Sequence, residues 1–383
     1  MTKKTSPKTA KKPTKAASSV HEKKVRAVSH KPLKNRFLIN RQWQKRVLIV
    51  LVAVVVGWTG VMYATAQWYI AKHKEEPLRI GATFIPNYSR YFGLDPKENM
   101  DAMINELGVR QFRLVSYWKE IEKTEGQYDF TELDWQFEKV AAAGGKVSLA
   151  IGLRQPRWPE CHPPDWINAR ADNIDVWYPK LRTFMSKVIE RYGNNPTLES
   201  YQLENEFFMT VFGICPDHSR WRLVEEYDLV KSLDKDTPVT ISRSNNWIGL
   251  PLGDPRPDEF AISVYKRVWD KSVTKRYFEY PLPAWFYASL AGGAEIFTGN
   301  DMVIHELQAE SWLPEGMNMQ TASTEELSKS LNAERLKDRI KYGVATGMRD
   351  IYLWGPEWWY FMKTKRGEPA LWDTAVVELA KYR

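Results

Sequence analysis

The feature that most constrains the fold of this chain is a repeated alternation of short apolar segments with helix-forming segments. It occurs eight times across residues 79–383. The apolar segments show little alternation of polar and apolar residues, which is typical of parallel strands buried on both faces. We therefore predict an α/β fold, a (β/α)8 TIM barrel forming one domain over residues 79–383. The alternative is an open doubly wound sheet, but no Gly-x-Gly-x-x-Gly follows any predicted strand. The predicted strands are Arg79–Phe84, Gln111–Tyr117, Lys146–Gly152, Leu198–Glu206, Pro238–Ser242, Phe260–Tyr265, Met302–Glu306 and Asp350–Trp354.

Three further segments are predicted before the barrel. Residues 1–46 hold 15 Lys or Arg and one acidic residue, Glu22, so they predict a disordered basic tail. Residues 47–71 contain an uncharged apolar run long enough to span a bilayer as a signal-anchor helix, and residues 72–78 form a linker. A cleaved signal peptide is the alternative, although its apolar core would be shorter. Because cationic flanks stay in the cytoplasm, we expect a single-pass protein of the cytoplasmic membrane with its barrel outside the cytoplasm.

The charge distribution argues against nucleic-acid binding. The whole chain has a formal net charge of +8, yet the tail alone contributes more positive charge than this. The barrel region is therefore mildly acidic, and the basic character belongs to the tail.

The chain has two cysteines, Cys161 and Cys215, both in loop sequence. In an oxidising compartment they could form a disulfide. Free thiols and a zinc site with the neighbouring His162 and His218 remain alternatives. The six histidines show no spaced ligand set, and no cofactor is implied.

Two glutamates, Glu206 and Glu306, lie where predicted strands leave the core. Carboxylates are rare at such positions unless they are paired or used. Two of them on different strands of one barrel could flank a glycosidic bond. Aromatic and hydrogen-bonding residues also collect at the strand ends, a combination that suits the apolar faces and hydroxyl edges of sugars. The aromatic candidates for binding an oligo- or polysaccharide are Trp118, Trp158, Trp247, Tyr265 and Trp354.

Three motifs around the second strand resemble clan A of the glycoside hydrolases, the retaining (β/α)8 enzymes that include cellulases, xylanases and β-galactosidases. The motifs are Leu107-Gly-Val-Arg-Gln-Phe-Arg-Leu114, Trp118-Lys-Glu-Ile-Glu122 and Glu125-Gly-Gln-Tyr-Asp-Phe130. Asn205-Glu206 resembles the pair that closes the fourth strand in that clan. Ile304-His305-Glu306-Leu307 is similar to its seventh-strand motif, with His in place of Thr. The resemblance covers about residues 79–375.

The resemblance implies a role for each matching residue. Glu206 would be the acid/base, Glu306 the nucleophile, and Asn205 the contact to the sugar 2-hydroxyl. Arg113 and Tyr265 would contact the nucleophile, and Trp354 would lie under the sugar at the cleavage point. The strand-three loop Gln155–Pro159 departs from the familiar cellulases, so no family within the clan is assigned.

Several alternatives stay open at this point. Glu310, four residues beyond Glu306, could be the nucleophile if the strand is longer than predicted, and otherwise belongs to the cleft. We interpret His305 and Glu204 as structural. Glycosidase activity is the main prediction; a catalytically inactive glycan-binding barrel and a transglycosylase of the cell envelope are the alternatives.

Overall fold

Eight parallel strands form a closed barrel in the computed structural model, which describes residues 41–169, 171–244 and 253–383. The order around the barrel is β1-β10-β9-β6-β5-β4-β3-β2, and β7 and β8 form a separate antiparallel hairpin. The predicted (β/α)8 fold is confirmed. Of the predicted tail (residues 1–46), residues 1–40 lie outside the described residues. The strands are β1 (Arg79–Thr83), β2 (Gln111–Val115), β3 (Lys146–Ile151), β4 (Leu198–Leu203), β5 (Val239–Arg243), β6 (Glu259–Val264), β7 (Arg267–Asp270), β8 (Arg276–Glu279), β9 (Met302–Gln308) and β10 (Asp350–Trp354).

Helices follow most of the barrel strands. The helical segment after β9 is broken at Leu331, whose backbone is extended, and Asn332 caps the second piece. The helices are α1 (Arg41–His73), α2 (Pro86–Tyr91), α3 (Pro96–Asn105), α4 (Trp118–Ile121), α5 (Thr131–Ala142), α6 (Ile174–Tyr192), α7 (Arg220–Leu233), α8 (Ala284–Thr298), α9 (Thr324–Ser330), α10 (Ala333–Val344), α11 (Pro356–Lys365) and α12 (Ala370–Leu379).

The core lies between the barrel and its helices, and the strands are buried on both faces. All seven residues of β9 are buried. Gly343 of α10 allows this helix to approach β9, because a Cβ there would lie 2.7 Å from Leu307 Cδ2. Burying a large aliphatic side chain such as Leu307 stabilises the fold by about 1.5–3 kcal/mol. We call the C-terminal strand ends the mouth of the barrel and the N-terminal ends its floor.

Two strands that hold predicted site residues end elsewhere than expected. β4 ends at Leu203, and the backbone then turns sharply, with φ of +50° at Glu204 and +44° at Glu206. Such values are uncommon for residues other than glycine and mark places where the surrounding structure imposes the conformation. β9 continues to Gln308, so that Glu306 lies within the strand. A register shift between Ile262 and Ser263 places Ser263 of β6 opposite Glu306.

α1 is longer than the predicted span of residues 47–71, because it begins at Arg41 and ends at His73. Within the described residues, its range Trp43–His73 is the one helix long and apolar enough to cross a membrane. Residues 56–383 form one compact unit, so this unit includes the last turns of α1. Ala66 and Tyr69 of these turns are fully buried. Close packing on α8 depends on Gly292, where a Cβ would lie 2.9 Å from Thr65 Cγ2.

Cys161 and Cys215 form a disulfide that joins the loop after β3 to the loop after β4. The disulfide alternative of the sequence analysis is therefore the one that the structure contains. The bridge connects two loops at the mouth, and Glu160 directly precedes Cys161 in one of them.

Replacing both cysteines by alanine is expected to lower the free energy of unfolding by about 2–4 kcal/mol, because the bridge removes entropy from the unfolded chain. The bridged residues are 54 positions apart, so the closed loop is long. Urea unfolding of the full chain in detergent measures the effect, with dithiothreitol-treated wild type as the matched control. An unchanged midpoint in both samples would contradict it.

Candidate active site

A cleft of about 1100 Å³ opens at the mouth of the barrel. Its walls come from loops that follow several strands and from the β7–β8 hairpin. Among its lining residues are seven that the sequence analysis selected: Trp158, Asn205, Glu206, Tyr265, Glu306, Glu310 and Trp354. The sequence therefore identified residues that the barrel brings together from positions up to about 200 residues apart.

Glu306 lies on β9 and is buried, and both of its carboxylate oxygens accept hydrogen bonds. Arg113 Nη1 of β2 donates to Oε1 at 2.8 Å, and the Tyr265 hydroxyl donates to Oε2 at 2.7 Å. The Arg113 bond is charge-assisted, which makes it stronger than a bond between neutral groups. Strands β2, β6 and β9 thus fix one carboxylate in position and orientation.

Glu206 lies in the turn after β4 and is also buried, but no cation contacts its carboxyl group in the described structure. Ser263 Oγ donates to its Oε1, and its backbone N–H donates to Ser242 Oγ at 2.8 Å. Burial, followed by repulsion from Glu306 and Glu160, raises the pKa of the Glu206 carboxyl to about 8. The raised pKa favours the protonated form of Glu206 at neutral pH, close to a carboxyl group that is paired with a guanidinium.

Asn205 connects Arg113, the partner of Glu306, to a third carboxyl group, that of Glu160. Its Oδ1 accepts from Arg113 Nη2 at 2.8 Å, and its Nδ2 donates to Glu160 Oε2 at 3.1 Å. Gln202 also donates to Asn205 Oδ1, at 3.1 Å, and accepts from Arg113 Nε. Burial raises the pKa of Glu160 to about 7, although the nearby Arg154 opposes this shift.

Glu160, Gln202 and Ser263 were missed by the sequence analysis. A signal existed for Gln202 and Ser263, since polar residues inside otherwise apolar buried strands usually point to a hydrogen-bonded network. Glu160 had a weaker signal, its position next to Cys161 in a Pro-rich loop. Its approach to Asn205 depends on a loop conformation that no periodic pattern predicts.

Glu310 occupies the cleft but has different partners from Glu306. Arg157 donates two bonds to it, at 2.7 and 2.9 Å, while Tyr88 and Trp354 Nε1 each donate at 2.9 Å. This bidentate pair consumes much of the acceptor capacity of Glu310. Glu310, in contrast to Glu306, is not among the main groups whose charge raises the pKa of Glu206.

Arg157 also covers the ring that the sequence analysis assigned to the sugar. Its guanidinium carbon lies 4.2 Å from the centre of the Trp354 ring and 3.3 Å from the centre of the Tyr88 ring. These are cation–π distances. A sugar that stacks on the same face of Trp354 would have to displace Arg157.

Trp118 and Trp247 do not join the described cleft. Trp118 is fully buried, its Nε1 donates to Glu122 Oε2 at 2.6 Å, and its ring packs against Phe184. Its prediction as a binding residue is wrong because it starts α4 and points into the helical layer. Trp247 falls within residues 245–252, outside the described residues. Two residues interpreted as structural are buried: Glu204 pairs with Arg222 at 3.0 Å, and His305 Nε2 lies 2.9 Å from Ser263 Oγ.

The two tryptophans Trp158 and Trp118 are expected to respond differently to replacement by alanine. Trp158 lines the cleft and is 60% exposed, so its loss should weaken saccharide binding with little change in stability. Loss of the buried Trp118 should lower the free energy of unfolding by about 3–5 kcal/mol. Urea unfolding and calorimetric titration with oligosaccharides measure both. Equal effects of the two variants on stability would contradict this assignment.

Residues 95–241 match the family model of glycoside hydrolase family 42, a model whose description is Beta-galactosidase. The matched range contains Arg113, Asn205 and Glu206 and ends before Tyr265 and Glu306. Beta-galactosidase GanA of Bacillus subtilis is 29% identical over 158 residues, which cover 36% of this chain and 23% of that protein. The chain spans about a quarter to a third of the length of the curated relatives it matches.

Two solved structures share the barrel fold. The GH5_18 protein of Streptomyces cattleya, solved in complex with GlcNAc, gives a TM-score of 0.54 at 11% identity and covers 80% of each chain. A β-galactosidase of the haloarchaeon Halorubrum lacusprofundi gives 0.52 at 14% identity, covering 80% of this chain and 58% of that one. The match over residues 95–241 and the shared barrel together support a clan A glycoside hydrolase, as the sequence motifs indicated.

Proposed function

We propose that this chain is a retaining β-glycosidase in which Glu206 is the acid/base and Glu306 the nucleophile. The observation that supports this most is the asymmetry of the two buried carboxyl groups. Glu206 keeps its proton at neutral pH, whereas Glu306 accepts bonds from Arg113 and Tyr265. A pair of carboxyl groups in opposite protonation states is what acid-assisted glycoside cleavage requires.

In the first step Glu206 donates its proton to the glycosidic oxygen as the bond to the anomeric carbon breaks. A Glu306 oxygen attacks that carbon and forms a covalent glycosyl ester, and the leaving group departs as an alcohol. Arg113 and Tyr265 hold the attacking carboxylate in place, which lowers the entropic part of the barrier.

In the second step Glu206, now ionised, takes a proton from water. The resulting hydroxide-like oxygen attacks the anomeric carbon, the bond to Glu306 breaks, and the sugar is released with its original configuration. Glu206 regains its proton and Glu306 its charge, so the cycle closes. Attack by a second sugar hydroxyl instead of water would give transglycosylation with the same residues.

A β-galactoside is the first substrate to test, because the family match and the curated relatives have this activity in their names.

We further propose that α1 anchors the chain in the cytoplasmic membrane, with the basic residues before it inside and the barrel outside. The length and apolarity of α1 and the 15 cationic residues within the first 46 support this topology.

Glu206→Gln is expected to lower turnover of an aryl β-galactoside by about 10²–10⁴-fold, because the amide has no proton to donate. Glu306→Gln should lower it at least as much, since it removes the nucleophile. Kinetics of the full chain in detergent measure both, and Glu325→Gln, an exposed position on α9, is the matched control.

Trapping with a 2-deoxy-2-fluoro-β-galactoside tests the nucleophile directly. Fragmentation of the labelled peptide should place the added mass on Glu306. A label on Glu310 would overturn the assignment. A parent protein that binds saccharides but shows no turnover on a panel of aryl β-glycosides would favour the inactive glycan-binding barrel.

The pH profile of turnover should fall as pH rises through about 8, because the acid must be protonated and the pKa of Glu206 is raised to about 8. Two variants should shift this alkaline limb of the pH profile in opposite directions. Ser263→Ala removes a hydrogen bond that favours the ionised form, so the limb should shift to higher pH. Glu160→Gln removes a repulsive charge, so it should shift to lower pH. If the alkaline limb lies at the same pH in both variants and in the wild type, a group other than Glu206 controls it.

A further inference from the structure

The last turns of α1 run in the same direction as α8. The Tyr63 ring lies 5.6 Å from the ring of Trp285 at the beginning of α8, and His73 Nε2 lies 2.9 Å from Glu295 Oε2 near its end. Between them, Thr65 contacts Gly292. Two helices whose contacts follow the same order along both sequences are parallel.

α8 itself runs from the mouth to the floor of the barrel. It follows β6 and the β7–β8 hairpin, and it leads to Asp301, whose carbonyl accepts from the Phe260 N–H at the start of β6. α1 therefore reaches the floor at its C-terminal end, where β1 begins at Arg79. Its preceding residues Val56, Trp58 and Val61 lie toward the mouth, and all three are apolar and exposed.

From this direction we infer that the mouth of the barrel faces a bilayer that takes up the exposed apolar residues Val56, Trp58 and Val61, and that the substrate is a glycolipid whose saccharide lies at that membrane surface. The inference rests on the proposed glycosidase function and its membrane anchor. A bilayer that takes up the exposed apolar residues before Tyr63 has to lie at the end of the barrel where the cleft opens.

The rim of the mouth has the surface that this orientation requires. Four loops, those after β3, β4, β6 and β9, each expose a large apolar side chain: Trp158, Val211, Val273 and Met317. Their exposed fractions are 60%, 80%, 83% and 52%. Apolar side chains spread around one end of a domain are costly in water and favourable at a lipid surface.

The β7–β8 hairpin shows how the rim would meet lipid. Val273 lies at its tip between Lys271 and Lys275, both exposed. The Asp270 carboxylate fixes the turn by accepting from the N–H groups of Ser272, Val273 and Thr274, at 3.0, 3.2 and 2.7 Å. An apolar tip flanked by cations is typical of segments that insert one side chain while the cations contact anionic head groups.

The same hairpin forms a wall of the cleft. Trp269 and Tyr280 line the cavity, together with Val268 and Phe278, so its base faces the candidate catalytic residues. Because Tyr63 contacts Trp285 directly, no long flexible tether separates the apolar helix from the barrel. A saccharide on a membrane lipid would therefore enter the cleft along the hairpin, whereas a soluble polymer would have to pass between the rim and the bilayer.

The orientation can be tested without any substrate. The native cysteines form a disulfide, so a third cysteine can be labelled selectively. Full-length Val273→Cys and Phe297→Cys, labelled with an environment-sensitive fluorophore, would be reconstituted in vesicles of phosphatidylcholine and phosphatidylglycerol containing a nitroxide head-group lipid. Phe297 is the matched control, because it is 78% exposed at the floor end of α8. We expect the probe at 273 to lose most of its fluorescence and the probe at 297 to keep it. The reverse pattern, or equal quenching, would overturn the inference.

The substrate class is tested with the same vesicles. Val273→Asp should lower kcat/KM for bilayer-inserted dodecyl β-galactoside about tenfold, because a charge replaces the inserted side chain. Turnover of a soluble aryl β-galactoside should not change, since Val273 lies outside the cleft lining. Equal effects on both substrates would overturn the glycolipid assignment. Quenching at 273 combined with no turnover of either substrate would instead refute the proposed glycosidase function.

Discussion

The interaction on which the candidate site depends is the pairing of the buried Arg113 guanidinium with Glu306. A charge inside a barrel is tolerated only if it is compensated and hydrogen-bonded. Arg113 meets this requirement by contacting Glu306 of β9 and both Gln202 and Asn205, which come from β4 and the turn after it. Removing either partner would leave an uncompensated buried charge. The network that places the catalytic candidates therefore also constrains the mouth of the barrel.

This pairing explains why two glutamates in one cleft have different chemistry. Glu306 receives the cation and the Tyr265 hydroxyl, while Glu206 receives a serine hydroxyl and is exposed to the negative charge of its neighbours. The site thus favours a proton on the Glu206 carboxyl group. A second pair, Arg157 with Glu310, lies at the same mouth and occupies the surface of Trp354. The shape of the sugar subsite depends on whether that pair stays in place when a saccharide binds.

The docking of α1 adds a constraint from outside the barrel. Its last turns pack along α8 and run from mouth to floor. Because α8 runs from mouth to floor, the last turns of α1, which are parallel to it, run in the same direction.

The sequence by itself determined the fold class and the apolar helix and selected Glu206 and Glu306 as candidates, because burial on both faces and acids at strand ends leave a local pattern. Tertiary structure decided which side chains meet. Trp118, like Trp158, is a tryptophan that follows a barrel strand, but its side chain points into the helical layer. At the start of α4, a shift of one residue along the chain decides whether a side chain faces the cleft or the core. Glu160 reaches Asn205, and Arg157 covers Trp354, only through loop conformations and contacts between segments far apart in the chain. Local patterns specify the period and burial of a segment, whereas the partners of a buried charge depend on closure of the whole barrel.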